Sequence, residues 1–484
     1  MMVLARLQSR QLLKKMDAAQ SYGEWSEQAA AYDQENGLGD WKSADASKSY
    51  DYRSIRQRLD LIRDLRFRQD YQQLLFTLNE GIHGNVGGMG KPALYNKAKL
   101  GTKNLIHQFV REVCGALHDI DEVDESIISL QEKEDFFIRA GHCFGRSALM
   151  LSGGAVLGFF HAGVVKALFE QGLLPDIISG SSAGSIIAAT ACTHTDEELS
   201  QRLSIDNLHH EVEQTSSIRP RLSPFVSRNQ PMDASNLRAY LEKIIPDLTF
   251  QEAYALTGRK LNITVTGLAP EQAPRLLNAI TSPNVLIRPA VMASCAIYGI
   301  YPPVTLQCRN AKGEAVPYLP DLRWIDGSFV DDLPAKRLTR LYGVNHFIAS
   351  MTNPAALAIT PDPDAPGNVL RQAFNYQSRI VKNVTTEMLK ISRDTLRFKS
   401  PALNLIQHLS YGVLAQDYTA DINIFLRNRW SHPLRLLAPP SRQVMLRLIR
   451  EGELATWERI EMVRNCTAIS RTLDEILQRR GWEQ

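Results

Sequence analysis

The sequence predicts an α/β core set between two helical regions, and three patterns carry that expectation. Apolar runs of strand length alternate with helix-length segments from about residue 146 to 340, as in a sheet with helices laid against it. Upstream, apolar residues recur at helical spacing, and downstream, from about residue 380 to 484, a basic helical pattern returns. A chain of 484 residues has room for two or three domains. The expected divisions are a helical N-terminal domain over 1–145, the α/β core over 146–340, and a helical C-terminal extension over 341–484 packed on that core.

In the first region Ile55, Leu59 and Ile62, then Leu74, Leu75 and Leu78, follow the helical period. Arg53, Arg56, Arg58, Arg63, Arg66 and Arg68 are interleaved with Asp60, Asp64 and Asp70. That arrangement reads as a solvated face laced by i, i+4 ion pairs, with an arginine surface for lipid phosphates as the sharper alternative. The run from Gly84 to Pro92 breaks the pattern. In the core, strands are expected at Ala148–Leu151, Ile177–Ser179, Leu261–Thr266 and His346–Ser350. The polar, proline-bearing stretch 194–232 is a candidate lid over a site. The tail gathers Arg427, Arg429, Arg435, Arg442, Arg447 and Arg450 near Trp430 and Pro439-Pro440, without a helix-turn-helix, zinc-finger or RNA-binding signature, so no nucleic-acid partner is expected.

Composition describes an ordinary globular protein, with 44% hydrophobic and 22% charged residues. The net charge of +3 tolerates an anionic surface without demanding one. Six cysteines (Cys114, Cys143, Cys192, Cys295, Cys308, Cys466) are scattered with no C-x-x-C, so neither a disulfide framework nor a zinc site is indicated. Reducing cytosol fits, and no metal or organic cofactor is expected. Two uncharged stretches, 148–165 and 177–195, approach the length of a membrane span. Glycine and serine fill their middles, so both read as strand, turn and helix of a buried core. Residues 1–16 mix Arg6, Arg10, Lys14 and Lys15 with leucines and form no signal peptide. Any membrane contact is expected to be peripheral.

The chemistry centres on Ser182, in Gly180-Ser181-Ser182-Ala183-Gly184 between the apolar run ending at Ile178 and Ile186-Ile187-Ala188-Ala189. A strand, a tight turn of small residues around a serine, and a helix push the hydroxyl out where a substrate carbonyl can reach it. Upstream, Ser152-Gly153-Gly154-Ala155 follows another apolar strand and opens a helix, a place where exposed N–H groups of Gly153, Gly154 and Ala155 can hold an oxyanion. Downstream, Trp324-Ile325-Asp326-Gly327-Ser328 sets a carboxylate at the end of a short apolar run. By the residues alone Asp326 can be the base of a dyad or the middle member of a triad, since His346, His408 and His432 all lie downstream. His161 reads as a satisfied helix histidine.

The three motifs together, in this order, resemble the patatin-like lipid acyl hydrolases. The likeness extends to the branch of intracellular triacylglycerol lipases that carry a helical domain ahead of the patatin core. It runs through Tyr95 and Gly101–Ile106, Leu276–Val285, Ala293-Ser294-Cys295-Ala296, Asp331-Asp332-Leu333-Pro334, Tyr418–Ile422 and Gly452–Trp457. The resemblance implies a three-layer α/β/α core and a Ser182–Asp326 dyad working without a catalytic histidine. It also implies a lipid substrate met at a membrane or lipid-droplet surface. Three positions depart from the family pattern: Ala155 replaces a glycine, Leu157 a basic residue, and Ser328 follows Asp326-Gly327. The oxyanion reading expects Ala155 at negative φ. A triacylglycerol lipase or phospholipase A is the leading expectation. A lipid acyltransferase through the same acyl-enzyme and a non-catalytic lipid-surface scaffold are the alternatives. The chain lacks the H-x-x-x-x-D acyltransferase signature.

Overall fold

In the computed structural model the described residues are 2–80, 84–203, 234–269, 272–354, 357, 411, 416, 418, 420–426 and 440–482. The candidate lid lies outside them from residue 204 to 232, as do His408, His432, Arg427, Arg429, Trp430, Arg435 and Pro439. Two compact units are formed. One comprises Met1–Ser147, Leu338–Phe347 and Trp457–Gln484, the other Ala148–Arg337 and Ile348–Thr456.

The first unit is helical: α1 (Met2–Ala18), α2 (Tyr22–Glu35), α3 (Leu38–Ser43), α4 (Tyr52–Arg68), α5 (Tyr71–Asn79), α6 (Pro92–Tyr95), α7 (Asn104–Glu122) and α8 (Leu130–Phe144). Helix α4 starts at Asp51, whose side chain accepts the Ser54 N–H, and α5 starts the same way at Asp70. A capping box of Ser129 and Glu132 opens α8. The apolar stripe of α4 (Ile55, Leu59, Ile62, Leu65) is buried, and α4 packs on α7, which buries Leu105, Phe109, Val113, Leu117 and Ile120. The helix Ile460–Arg480 packs on α7 and α8 through Val463, Ile469, Leu473 and Ile476. Its Arg480 donates to Asp121 at the end of α7 over 2.7 Å. Residues 457–484 therefore belong with the N-terminal helices, whereas the sequence pattern assigned them to an extension on the α/β core.

The arginines of α4 are largely spoken for. Arg56 grips Asp45 at 2.7 Å and faces Asp60 one turn on, and Arg68 pairs with Asp64. Arg63 reaches Glu112, and Arg66 holds both Glu112 and Asp119 of α7. This is the ion-paired face, extended across to a second helix, and it leaves little positive charge from Arg56, Arg63 and Arg66 for an external phosphate.

The second unit is built on a seven-stranded mixed sheet flanked by helices. Its strands are β1 (Arg146–Leu151), β2 (Ile177–Gly180), β3 (Lys260–Gly267), β4 (Arg275–Leu277), β7 (Trp324–Asp326), β8 (Val344–Met351) and β9 (Ile422–Phe425). The order is β4-β3-β2-β1-β8-β9, with β7 also paired to β3. Strands β1, β2 and β3 are mutually parallel, as are β8 and β9, while β4 and β7 run antiparallel to β3. A separate hairpin joins β5 (Gln307–Arg309) to β6 (Ala315–Pro317). All of β2 and nearly all of β3 are buried, as expected of parallel strands covered on both faces. The two span-length stretches resolve as expected: β1 runs through a 3₁₀ turn into α9 (Phe159–Glu170), and β2 runs through Ser182 into α10 (Ala183–Cys192).

The helix Arg442–Trp457 crosses α9 at near backbone contact. A Cβ on Gly163 would lie 1.9 Å from the Ile449 carbonyl oxygen, and one on Gly452 would lie 2.1 Å from that of Phe160. Beside this crossing Lys166 of α9 is buried against Glu453. Gly163→Ala should therefore destabilise the protein by about 3 kcal/mol or more, because the atom it meets is backbone. Gly39→Ala, in α3 with open space around it, should be neutral or stabilising by up to about 1 kcal/mol. Thermal unfolding of the two variants checks the pair, and equal behaviour would contradict the close crossing.

Candidate active site

The sheet register brings the two chemical groups to one edge. Gly180 at the end of β2 lies beside Ile263 of β3, so Ser182 follows two residues beyond that level. Past the end of β2, on the same edge of β3, Asp326 at the end of β7 is paired with Val265, also two residues beyond Ile263. The turn between β2 and α10 is tight enough that the motif glycines are obligatory. A Cβ on Gly180 would lie 2.4 Å from the Gly184 oxygen, and one on Gly184 would lie 2.2 Å from that of Leu151.

Ser182 itself has φ 50° and ψ −125°, a conformation that costs a non-glycine residue about 1–3 kcal/mol. The strained turn is fastened from below. The Ser182 N–H donates to Ser294 Oγ at 2.9 Å, the Ser181 N–H to the Leu151 carbonyl, and Thr264 Oγ1 to Ser181 Oγ at 2.8 Å.

Asp326 is 1% exposed. Burial pushes its carboxyl up from 3.8 to about 6, against hydrogen bonds from the Ser182 hydroxyl and from the backbone and hydroxyl of Ser328 that hold it down. The Ser328 N–H donates to Oδ1 at 2.8 Å. Among the described residues no histidine hydrogen-bonds Ser182 or Asp326. His346 sits near the start of β8, bonded to Ser147 at 3.0 Å. It is six residues, about 20 Å along an extended strand, from Thr352 beyond the other end.

The oxyanion loop is more constrained than its sequence suggests. His161, fully buried in α9, faces the Ser152 carbonyl with Nε2 at 2.9 Å, so that nitrogen carries the proton and Nδ1 accepts from Ser350 Oγ at 2.7 Å. Burial lowers its pKa to about 4. It is a neutral structural histidine, as its sequence context indicates. The other side of the same peptide, the Gly153 N–H, donates to Asp332 Oδ1 at 2.7 Å. The Gly153 carbonyl accepts from Thr352 Oγ1 at 3.1 Å. Since C=O and N–H of a trans peptide point opposite ways, that bond turns the Gly154 N–H away from Thr352.

Two expectations for this loop need correction. Gly153 is not a free donor, because its N–H is occupied by Asp332. Ala155 is not at negative φ but at +48°, held in the left-handed region by the turn it heads (Ala155–Gly158). The N–H groups of Gly154 and Ala155 have no partner among the described residues, as is usual at the start of a helical turn.

Asp332, Ser294, Thr352 and Asn353 all bear on the site. Asp332 and Ser294 stand in two of the stretches that carried the family likeness, but nothing in their local pattern shows what they touch. Asp332 is buried, its carboxyl raised to about 7 by burial, with Asp326 adding repulsion.

Buried charge at Asp326 has a sign that can be checked. Below about pH 4 its carboxyl is neutral folded and unfolded and costs nothing. Between about pH 4, where the unfolded carboxyl ionises, and about 6, where the folded one follows, stability is lost, by roughly 3 kcal/mol, and above that the loss is constant. Asp326→Asn should therefore raise Tm relative to wild type at pH 8 and leave it unchanged at pH 4. An equal or lower Tm at pH 8 contradicts the desolvated carboxylate.

The patatin-like phospholipase family profile matches residues 149–339, and a domain of unknown function matches residues 2–142. The chain is 32% identical over 475 residues to Triacylglycerol lipase SDP1L of Arabidopsis thaliana, covering 95% of this chain and 57% of that protein. It is 32% identical over 482 residues to Triacylglycerol lipase 4 of Saccharomyces cerevisiae, covering 95% and 52%. It therefore spans little more than half the length of these two relatives. With Triacylglycerol lipase ptl3 of Schizosaccharomyces pombe it shares 32% identity over 470 residues, 94% of each chain. An identity of this level along nearly all of both chains, through the same helical and α/β regions, means that the chain belongs to the patatin-like phospholipase family.

Proposed function

We propose that the protein hydrolyses carboxylic esters of lipids, triacylglycerols or phospholipids, through a Ser182–Asp326 dyad. The observation that carries this reading is the Ser182 hydroxyl on a strained elbow beside a carboxylate that burial has made more basic. In water a carboxylate is a feeble base, and raising its pKa toward the working pH makes proton transfer from a hydroxyl less uphill.

Ser182 Oγ adds to the ester carbonyl as its proton passes to Asp326. The oxyanion is met by the Gly154 N–H, with the 3₁₀ turn leading into α9 adding the positive end of its dipole. Collapse of the tetrahedral adduct expels the alkoxide, which takes the proton from Asp326 and leaves an acyl-Ser182 ester. Water then adds, gives its proton to Asp326, and the fatty acid departs as Ser182 recovers its hydrogen.

The relatives named triacylglycerol lipases support a neutral glyceride as substrate. Such an ester is insoluble, so the same reading includes reversible contact with a membrane or lipid-droplet surface. No helix among the described residues is long and apolar enough to cross a membrane. All six cysteines are free thiols, which fits a reducing compartment. Arg56, Arg63, Arg66 and Arg68 of α4 are paired within their own unit and are not the source of that contact.

Fatty acid release from triolein and from phosphatidylcholine vesicles, each with and without diacylglycerol as acyl acceptor, tests the assignment. Wild type should release fatty acid from triolein, and Ser182→Ala should fall by at least about 100-fold with its thermal unfolding retained. Activity in Ser182→Ala above a tenth of wild type would remove Ser182 as nucleophile. Acyl transfer to diacylglycerol exceeding release to water would make the protein a transferase.

A further inference from the structure

We propose that Asp332 is a positioning residue of the oxyanion loop, acting on the transition state through the Gly153 N–H. The proposal rests on the Ser182 mechanism above and adds to it a residue that touches neither substrate nor nucleophile.

Asp332 lies six residues beyond Asp326, past the 3₁₀ turn Gly327–Phe329, and is 1% exposed. Both of its oxygens accept: Oδ1 from the Gly153 N–H at 2.7 Å and Oδ2 from Asn353 Nδ2 at 2.8 Å. Its own N–H donates to Gln416 Oε1 at 2.6 Å, and Gln416 Nε2 returns to the Ser328 carbonyl at 3.2 Å. The segment after the candidate base is thus tied to the loop on the other side of the nucleophile. Gly153 is at the centre of this, since a Cβ on it would lie 3.3 Å from Ser182 Cβ and 2.7 Å from Ser328 Cβ.

A buried carboxylate near a second one is expensive to hold, and a packed apolar side chain would be cheaper if only filling were needed. What the carboxylate does that an apolar group cannot is fix a peptide plane. His161 takes the carbonyl side of the Ser152–Gly153 peptide and Asp332 the N–H side, by a charge-assisted bond. With that plane clamped and the next one anchored by Thr352 at the Gly153 carbonyl, the orientation of the Gly154 N–H follows. A donor out of line with the developing oxyanion loses most of its value.

The test uses the full chain and a soluble ester, p-nitrophenyl butyrate, with Ser182→Ala as control. Asp332→Ala should lower kcat by about 10- to 100-fold while KM stays within about twofold, because an interaction made in the transition state leaves substrate binding unchanged. Asp332→Asn should recover kcat to within about threefold of wild type, since its amide oxygen can accept the Gly153 N–H and its amide nitrogen can donate to a turned Asn353. If Asp332→Ala does not fold, Asp332→Ser serves in its place, being too short to reach Gly153 while still polar toward Asn353. Wild-type kcat in the shortened variant overturns the proposal. So does a loss that Asp332→Asn fails to relieve, or one that appears in KM. Hydrolysis surviving in Ser182→Ala removes the dyad reading itself, a separate outcome.

Discussion

A carboxylate taken out of water beside a serine hydroxyl is the constraint on which the rest of the site depends. The forces on Asp326 are burial, which raises its pKa, and hydrogen bonds from Ser182 and Ser328. Its basicity therefore comes from desolvation rather than from a partner base, and only a rigid scaffold can keep such a group both buried and in reach. The sheet supplies that scaffold: β2 and β7 pair with the same edge of β3, in a register that brings Ser182 and Asp326 out at the same level. The strain at Ser182 is carried by the same frame, through bonds to Ser294 and through the backbone of Ser181.

The oxyanion loop is governed by the same logic of fixed dipoles. Its peptides are set by groups from three places in the chain: His161 in α9, Thr352 and Asn353 beyond β8, and Asp332 after β7. Thr352 and Asn353 both donate their N–H groups to Ser152 Oγ, at 2.8 and 3.2 Å. The loop is thereby anchored at its first residue as well as at Gly153. Preorganisation of this kind is useful because donors already aimed at a developing charge need not reorganise during the reaction. It also explains how Ala155 can sit at a φ that an L-residue disfavours: the residues on either side leave it no alternative.

Local pattern made much of this legible in the sequence. The strands at residues 148–151, 177–179, 261–266 and 346–350 lie within β1, β2, β3 and β8, because buried parallel strands are short, continuous apolar runs. The helical period of Ile55, Leu59 and Ile62 marked the buried face of α4. Nonlocal facts were not legible. The helix Ile460–Arg480 joins α7 and α8 across more than 300 residues of intervening sequence, and no periodicity records a partner. Arg63 and Arg66 read as free or locally paired until α7 places Glu112 and Asp119 beside them. Gly153 looks like a donor in sequence, and only the fold reveals that Asp332 has already taken its N–H.

In this site Asp326 activates Ser182 without a histidine, and covalent labelling of Ser182 tests that most directly. A fluorophosphonate reacts only with an activated serine, and peptide mass mapping locates the adduct. A chain in which His346, His408 and His432 are all replaced by alanine should form the adduct on Ser182 at close to the wild-type rate, while Asp326→Asn should not form it. Loss of labelling in the histidine variant, with its thermal unfolding intact, or undiminished labelling in Asp326→Asn, would contradict the dyad.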